Sequence, residues 1–265
     1  MGLRERLQGE REERLKELVA LLQEQKAAML IGPNGRNASQ YFWSEANMNS
    51  TPMGRYLTRR EWGFIQEAFQ RHGFPELVLD VGGGDGRFAV RLSMLGIQTT
   101  ILEHDPVPIR ELVARGWSEP VVLGDGNCLP CKDDSFDAIM AIETPCTASS
   151  HLAGFLAGSH QVLKPKGLIL LTTHNAVSMI GIQRLWCASK YRTTSGTYAH
   201  SFWTVRRALV HGGFDLLESR GFRWILGSRK SRSRLIPLWG YLEHVLFLER
   251  LPHVAPWIFW VARKK

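Results

Sequence analysis

The chain has 265 residues, 44% hydrophobic and 22% charged. That is enough apolar material for one large domain or a domain with an appendage, and too much for a collagenous, low-complexity or disordered protein. No uninterrupted apolar run reaches the roughly 18–20 residues a membrane-spanning helix needs. The opening stretch MGLRERLQGEREERLKEL alternates in charge and lacks the apolar centre of a signal peptide, so a soluble, cytoplasmic protein is expected. Lys and Arg number 33 against 25 Asp and Glu, a formal charge of +8 that favours anionic partners. Four cysteines, Cys128, Cys131, Cys146 and Cys187, are too few for a disulfide scaffold.

Leu15, Leu18, Val19 and Leu22 recur at helical spacing between charged residues, predicting an amphipathic helix over about 3–29. Gly32, Pro33, Asn34 and Gly35 then break it, and a second helix is expected over 54–72. From about Glu76 short apolar runs alternate with helical stretches, the pattern of a parallel sheet covered on both faces. Strands are predicted at 77–81, 98–103, 121–123, 137–142 and 168–173. One intervening helix should share a face of Phe88, Leu92 and Leu95, the next a face of Ile109, Leu112 and Val113, and a third follows at HLAGFLAGSHQVL before a Lys-Pro-Lys-Gly turn. TVRRALVHGG reads as a helix ending at Gly212 or Gly213; FDLLESRGFRW and PWIFWVARKK read as a final antiparallel pair of strands. The expected fold is α/β: a Rossmann-like, doubly wound, mostly parallel seven-stranded sheet with an antiparallel edge, plus a helical N-terminal extension.

The first strand runs directly into Gly82, Gly83, Gly84, Asp85, Gly86, Arg87 and Phe88. Such a loop lets backbone approach a ligand and places helix N-terminal amides against it. The dinucleotide fingerprint G-x-G-x-x-G would require glycine at 87, where this chain has Arg87, so a pyrophosphate reader is disfavoured. Glu103 ends the second strand, where a carboxylate can accept from a ribose diol. Asp125, in Leu123-Gly124-Asp125-Gly126-Asn127, ends the third and can accept from an adenine amino group. Three strand ends thus describe one nucleoside.

VLDVGGGDGRF, TTILEHDP, GDGNCLPCKDDSFDAI and LKPKGLILLTTHN, in that order, resemble the class I S-adenosylmethionine-dependent methyltransferases, and most the type 11 set that includes quinone-biosynthesis methylases. The likeness is detailed from Leu77 to Asn175 and looser to the end. It implies S-adenosylmethionine as cofactor, with S-adenosylhomocysteine as product. Asp80 and the loop of Gly82, Gly83, Gly84 and Gly86 would hold the methionine end, Glu103 with neighbouring His104 the ribose, and Asp125 with Gly126 and Asn127 the adenine. Gly83 stands where many relatives have cysteine or another small residue, and Cys128 and Cys131 where relatives commonly have polar and aromatic ones. On this reading 1–72 is a helical extension and cap, and 73–265 the methyltransferase domain, with 176–201 and 228–254 as cap or substrate insertions.

Methyl transfer from a sulfonium requires an aligned acceptor and relief of its proton. Glu143, after the fourth strand, can orient an acceptor or take that proton, and also borders the cofactor side. The Asn/Asp-Pro-Pro-aromatic sequence of enzymes that methylate base amines is missing there. His174, after the fifth strand, suits general-base work on a hydroxyl because imidazole titrates near neutrality. His151 and His200 are further candidates. Cys128-x-x-Cys131 lacks the second ligand pair of a structural zinc site, so no metal is expected. Tyr41, Phe42, Trp43, Met48, Met53, Tyr56, Trp186 and Tyr191 are candidates for an acceptor lining, or else ordinary core. The expected partner is a small or medium-sized organic acceptor, methylated at oxygen before carbon or nitrogen. The alternatives are an RNA or protein methylase, or a cofactor-binding scaffold without activity. The basic run Ser228–Arg234 before an aromatic helix fits either a solvated connection with that helix packed on the last strands, or contact with a peripheral membrane surface or lipid-like acceptor through 229–248. Nucleic acid is disfavoured, since no RNA- or DNA-binding module accompanies these charges.

Overall fold

The computed structural model describes residues 48–144, 151–186, 200–225 and 231–265, with backbone alone at 183–186. The expected helix 3–29 and its linker lie outside the described residues, as do Tyr41, Phe42, Trp43, Tyr191, Cys146, Cys187 and the side chain of Trp186.

Helix α1 spans Pro52–His72 and starts ahead of its expected Gly54 because the local chemistry favours it. Extended Thr51 accepts a hydrogen bond from the Gly54 amide at 3.0 Å, and Pro52 fits a first turn whose N–H would otherwise be unpaired. Gly73, at φ 109°, ends the helix by donating to the Phe69 carbonyl. Then follow β1 (Leu77–Val81), α2 (Ala89–Met94), β2 (Gln98–Glu103), α3 (Pro106–Ala114), β3 (Val121–Leu123), β4 (Phe136–Ala141), α4 (Leu152–Val162) and β5 (Leu163–His174). The chain continues through α5 (Met179–Trp186), α6 (Phe202–His211), β6 (Phe214–Phe222), α7 (Ile236–Val245), a 3-10 turn (Leu248–Arg250) and β7 (Trp257–Lys264). Leu112 of α3 is buried, whereas Val113, expected on the same face, is 54% exposed.

The seven strands lie in the order β3-β2-β1-β4-β5-β7-β6, parallel except that β7 runs antiparallel to both β5 and β6. The antiparallel strand is therefore one place in from the edge that β6 forms. The expected Lys-Pro-Lys-Gly turn is an outward bulge within β5: Phe136 faces Leu163 while Ala138 faces Leu168, and Lys166 adopts a left-handed φ of 65°.

Alternation along the strands divides the core into two layers. Val78, Met140, Leu170 and Phe259 face α1, α2 and α7. Leu79, Ile139, Leu171 and Trp260 face α4 and α6. Met48, Met53 and Tyr56, candidates for an acceptor lining, lie in the first layer as core. A buried latch holds α7 to α1: the Tyr56 hydroxyl donates to Glu243, whose other oxygen accepts from the Trp224 amide at 2.7 Å. Gly240 lets the helices close, since a Cβ there would sit 2.9 Å from the Tyr56 ring.

Candidate functional site

Because β1 to β4 are parallel, their carboxyl ends open on one edge, where a sheet of this topology binds its ligands. Beyond β1 the Gly82 amide donates to the Leu102 carbonyl at 2.7 Å and the backbone turns at φ 71°. A Cβ at Gly82 would lie 2.5 Å from Thr144 Oγ1, so both conformation and space demand glycine. Gly82→Ala should destabilise the fold by about 1–3 kcal/mol and weaken cofactor binding, measured by thermal melting and calorimetric titration. At Gly83 a Cβ would stand 2.9 Å from Asp80 Oδ2, so the bare glycine leaves room for that carboxylate.

Asp80 is buried at the end of β1, and its Oδ2 has no hydrogen-bond partner among the described residues. Burial, reinforced by the charge of Glu103 and opposed by Arg87, pushes its pKa to about 7. A desolvated carboxylate oxygen without a donor fits a protonated amine, the group carried by the methionine end of S-adenosylmethionine. Glu103 is also buried, but its needs are met: Oε2 accepts from the Gly84 amide at 3.0 Å, and Oε1 from the amides of His104 at 2.9 Å and Asp105 at 3.1 Å. An ionised carboxylate has roughly four lone-pair directions, so Glu103 ties the glycine loop to β2 and retains capacity for a further donor such as a ribose hydroxyl.

Past β3, Asp125 Oδ1 accepts from the Asn127 amide at 2.9 Å and its Nδ2 at 2.8 Å, an Asx turn that shapes the loop. A cleft of about 310 Å³ collects Gly82, His104, Asp125, Gly126, Asn127 and His151, together with Val81, Leu102, Gly124 and Thr144. Asp80, Gly83, Gly84, Gly86 and Glu103 belong to the same loop and strand ends but are not among the lining residues. Glu143, His174 and His200 are not among the lining residues. His174 packs edge-to-face on Trp257, ring centroids 4.5 Å apart, and the His200 carbonyl accepts from the Ala176 amide at 2.9 Å. Thr144, absent from the sequence-based candidates, is recognisable afterwards as the position just beyond a β-strand's carboxyl end.

Glu143 has a left-handed φ of 58°, and its amide donates to Thr172 Oγ1 at 2.7 Å. Its carboxylate meets Arg87 at 3.2 Å, and the same guanidinium lies 3.3 Å from Glu61. All three side chains are almost completely buried. Burial works against the charge on Arg87, but Glu61, Glu143 and Asp85 outweigh it and raise the guanidinium pKa. Arg87, which argued against a dinucleotide reader, is thus an internal counter-ion joining α1, the glycine loop and the segment after β4. Glu61 was overlooked in the sequence. Its signal was a carboxylate in the apolar stripe of α1, four residues from both Leu57 and Ile65.

Among the described residues no group of three or more His, Cys, Asp or Glu could hold a metal ion. Cys128 is exposed, and Cys131 packs against the second core layer, where burial raises its thiol pKa. No described helix is long and apolar enough to cross a membrane.

Residues 79–171 match a family model described as a methyltransferase domain. No curated protein matches the chain. Among solved structures it is similar to an S-adenosylmethionine-dependent methyltransferase of Thermotoga maritima, described as a possible histamine N-methyltransferase, at 19% identity and TM-score 0.55, over 79% of this chain and 89% of that one. An S-adenosylmethionine-dependent methyltransferase of Archaeoglobus fulgidus aligns at 16% identity and TM-score 0.52, over 78% and 94%. The cyclase SpnF aligns at 21% identity and TM-score 0.52, over 86% and 84%. At these identities the structural likeness is one of fold. Residues 79–171 therefore match a methyltransferase domain, set in the Rossmann-like fold that S-adenosylmethionine-dependent methyltransferases share.

Proposed function

We propose that this methyltransferase acts on a hydroxyl group of a small or medium-sized organic acceptor. The observation that carries the reading is that an imidazole, His151, lines the cleft beside Thr144 while no Asn/Asp-Pro-Pro-aromatic amine-binding sequence follows β4. Asp80 would hold the methionine amine, Glu103 and His104 the ribose, and Asp125 with the Gly126 and Asn127 backbone the adenine. When bound, the cofactor supplies an electrophilic methyl group. The chain's own contribution is positional: strand ends orient the nucleoside, Gly82 and Thr144 line the cleft, and His151 receives the acceptor's proton.

Incubation with methyl-labelled cofactor and a metabolite extract, followed by mass analysis, should identify a labelled methyl ether product. His151→Gln should lower turnover of that acceptor by about 10²–10⁴-fold while leaving the cofactor dissociation constant unchanged. Labelled product confined to amines, or an unaltered rate in the variant, would refute the hydroxyl assignment.

A further inference from the structure

The segment from Ser231 to Val254 distributes its polarity in an unusual way. Helix α7 and the turn after it leave Leu238, Trp239, Tyr241, Leu246 and Phe247 between 51% and 63% exposed. A lone exposed apolar side chain means little, but a contiguous group of this kind marks an interaction surface. Its carboxylates are withdrawn: Glu243 is 2% exposed and bonded to Tyr56 and the Trp224 amide, and Glu249 pairs with Arg60 at 3.1 Å. Its cations point outward, with Arg232, Arg234 and Arg250 all exposed. Phe247 adopts a left-handed φ of 51°, a costly conformation for an aromatic residue, and stays in solvent with the Arg250 guanidinium 4.7 Å from its ring centre.

Apolar and aromatic groups exposed along one helix, cations at both ends and acids turned inward make a surface complementary to an anionic lipid interface. A protein partner would not require acids to be cleared so completely from the rim. We propose that α7 and the following turn dock on an anionic bilayer surface, with Trp239 and Phe247 entering the headgroup region and Arg232, Arg234 and Arg250 meeting lipid phosphates. The Tyr56–Glu243 latch holds this face rigidly to α1, and Glu61 on the same helix reaches Arg87 of the glycine loop. Docking would therefore set the orientation of the cleft relative to the membrane. The inference does not depend on which acceptor is methylated.

The test is co-sedimentation of the full chain with vesicles of phosphatidylcholine mixed with phosphatidylglycerol, against vesicles of phosphatidylcholine alone, at low and high salt. The wild type should partition onto the mixed vesicles and be released by salt. The double variant Trp239→Ser/Phe247→Ser, which keeps the net charge, should partition about tenfold less, with an unchanged melting temperature because both residues are exposed. Arg232→Glu/Arg234→Glu should lose at least about fivefold for each arginine removed. Equal partitioning of the wild type and the Trp239/Phe247 variant would overturn the proposal in favour of diffuse charge attraction. So would absence of vesicle binding, and a concentration-dependent dimer abolished by that variant would then assign the face to a second copy of the chain.

Discussion

Asp80→Asn should abolish cofactor binding and, at pH 8, raise the melting temperature of the ligand-free protein. The carboxyl titrates at about 7 in the fold against an ordinary 3.8. Between those values the folded protein keeps a proton that the unfolded chain has released, so stability falls as pH rises through this window, and the full cost stands above pH 7. At roughly 1.4 kcal/mol per unit the cost is on the order of 4–5 kcal/mol. Asparagine removes it but leaves a buried amide, which takes back about 1–3 kcal/mol. The net gain of about 1–4 kcal/mol corresponds to several degrees, and the advantage over the parent should shrink steadily towards pH 4. In the parent, cofactor affinity should rise about tenfold per pH unit up to about 7, since the ionised carboxylate is the binding form. It should then level off as the ligand's own amine, with an ordinary pKa of about 7.7–8.0, begins to deprotonate. Calorimetry in buffers of different ionisation enthalpy measures the proton released. An asparagine variant that binds the nucleoside as tightly as the parent, or melts lower at pH 8, contradicts the assignment.

Arg87→Met should be the most destabilising single change near the cleft. It withdraws one guanidinium from two buried carboxylates, Glu61 at 3.3 Å and Glu143 at 3.2 Å. Breaking a buried ion pair by removing one partner costs about 3–5 kcal/mol, or roughly 10 °C for a domain of this size. Adding Glu61→Gln to this variant should restore part of the loss, because it removes one of the carboxylates that Arg87 had balanced. The single variant should also raise the Asp80 pKa, since Arg87 is the charge that lowers it, and so weaken the cofactor at pH 7 more than at pH 8.5. A melting temperature within a degree of the parent would mean that the cluster carries little of the fold's stability.

Much of the architecture was legible because its signals are short-ranged. The five parallel strands follow from apolar runs, and α1 from a Thr-Pro start and a Gly stop. The glycine loop and the acids at 80, 103 and 125 follow from their places at successive strand ends. Some element limits shifted where a local contact intervened, as where Thr51 caps α1 or the bulge at Lys166 carries β5 back to Leu163. Candidate bases were harder to place. Of the four candidates, Glu143 and His174 were expected just past strand ends, yet it is His151, from the start of the following helix, that lines the cleft, since a strand-end position does not determine where a side chain turns. His174 illustrates this by packing on Trp257, a residue of the strand that inserts beside β5.

The amino-acid sequence by itself determined the sheet, its helices and the glycine loop, because hydrogen-bonding patterns, glycine turns and hydrophobic period act over a few neighbouring residues. Only the tertiary structure decided the electrostatic character of the site. It joined Glu61 to Arg87 and Glu143, left Asp80 buried beside the bare Gly83, and turned Glu243 of α7 inward. Desolvation and charge pairing depend on which distant segments meet, and no local pattern specifies that meeting.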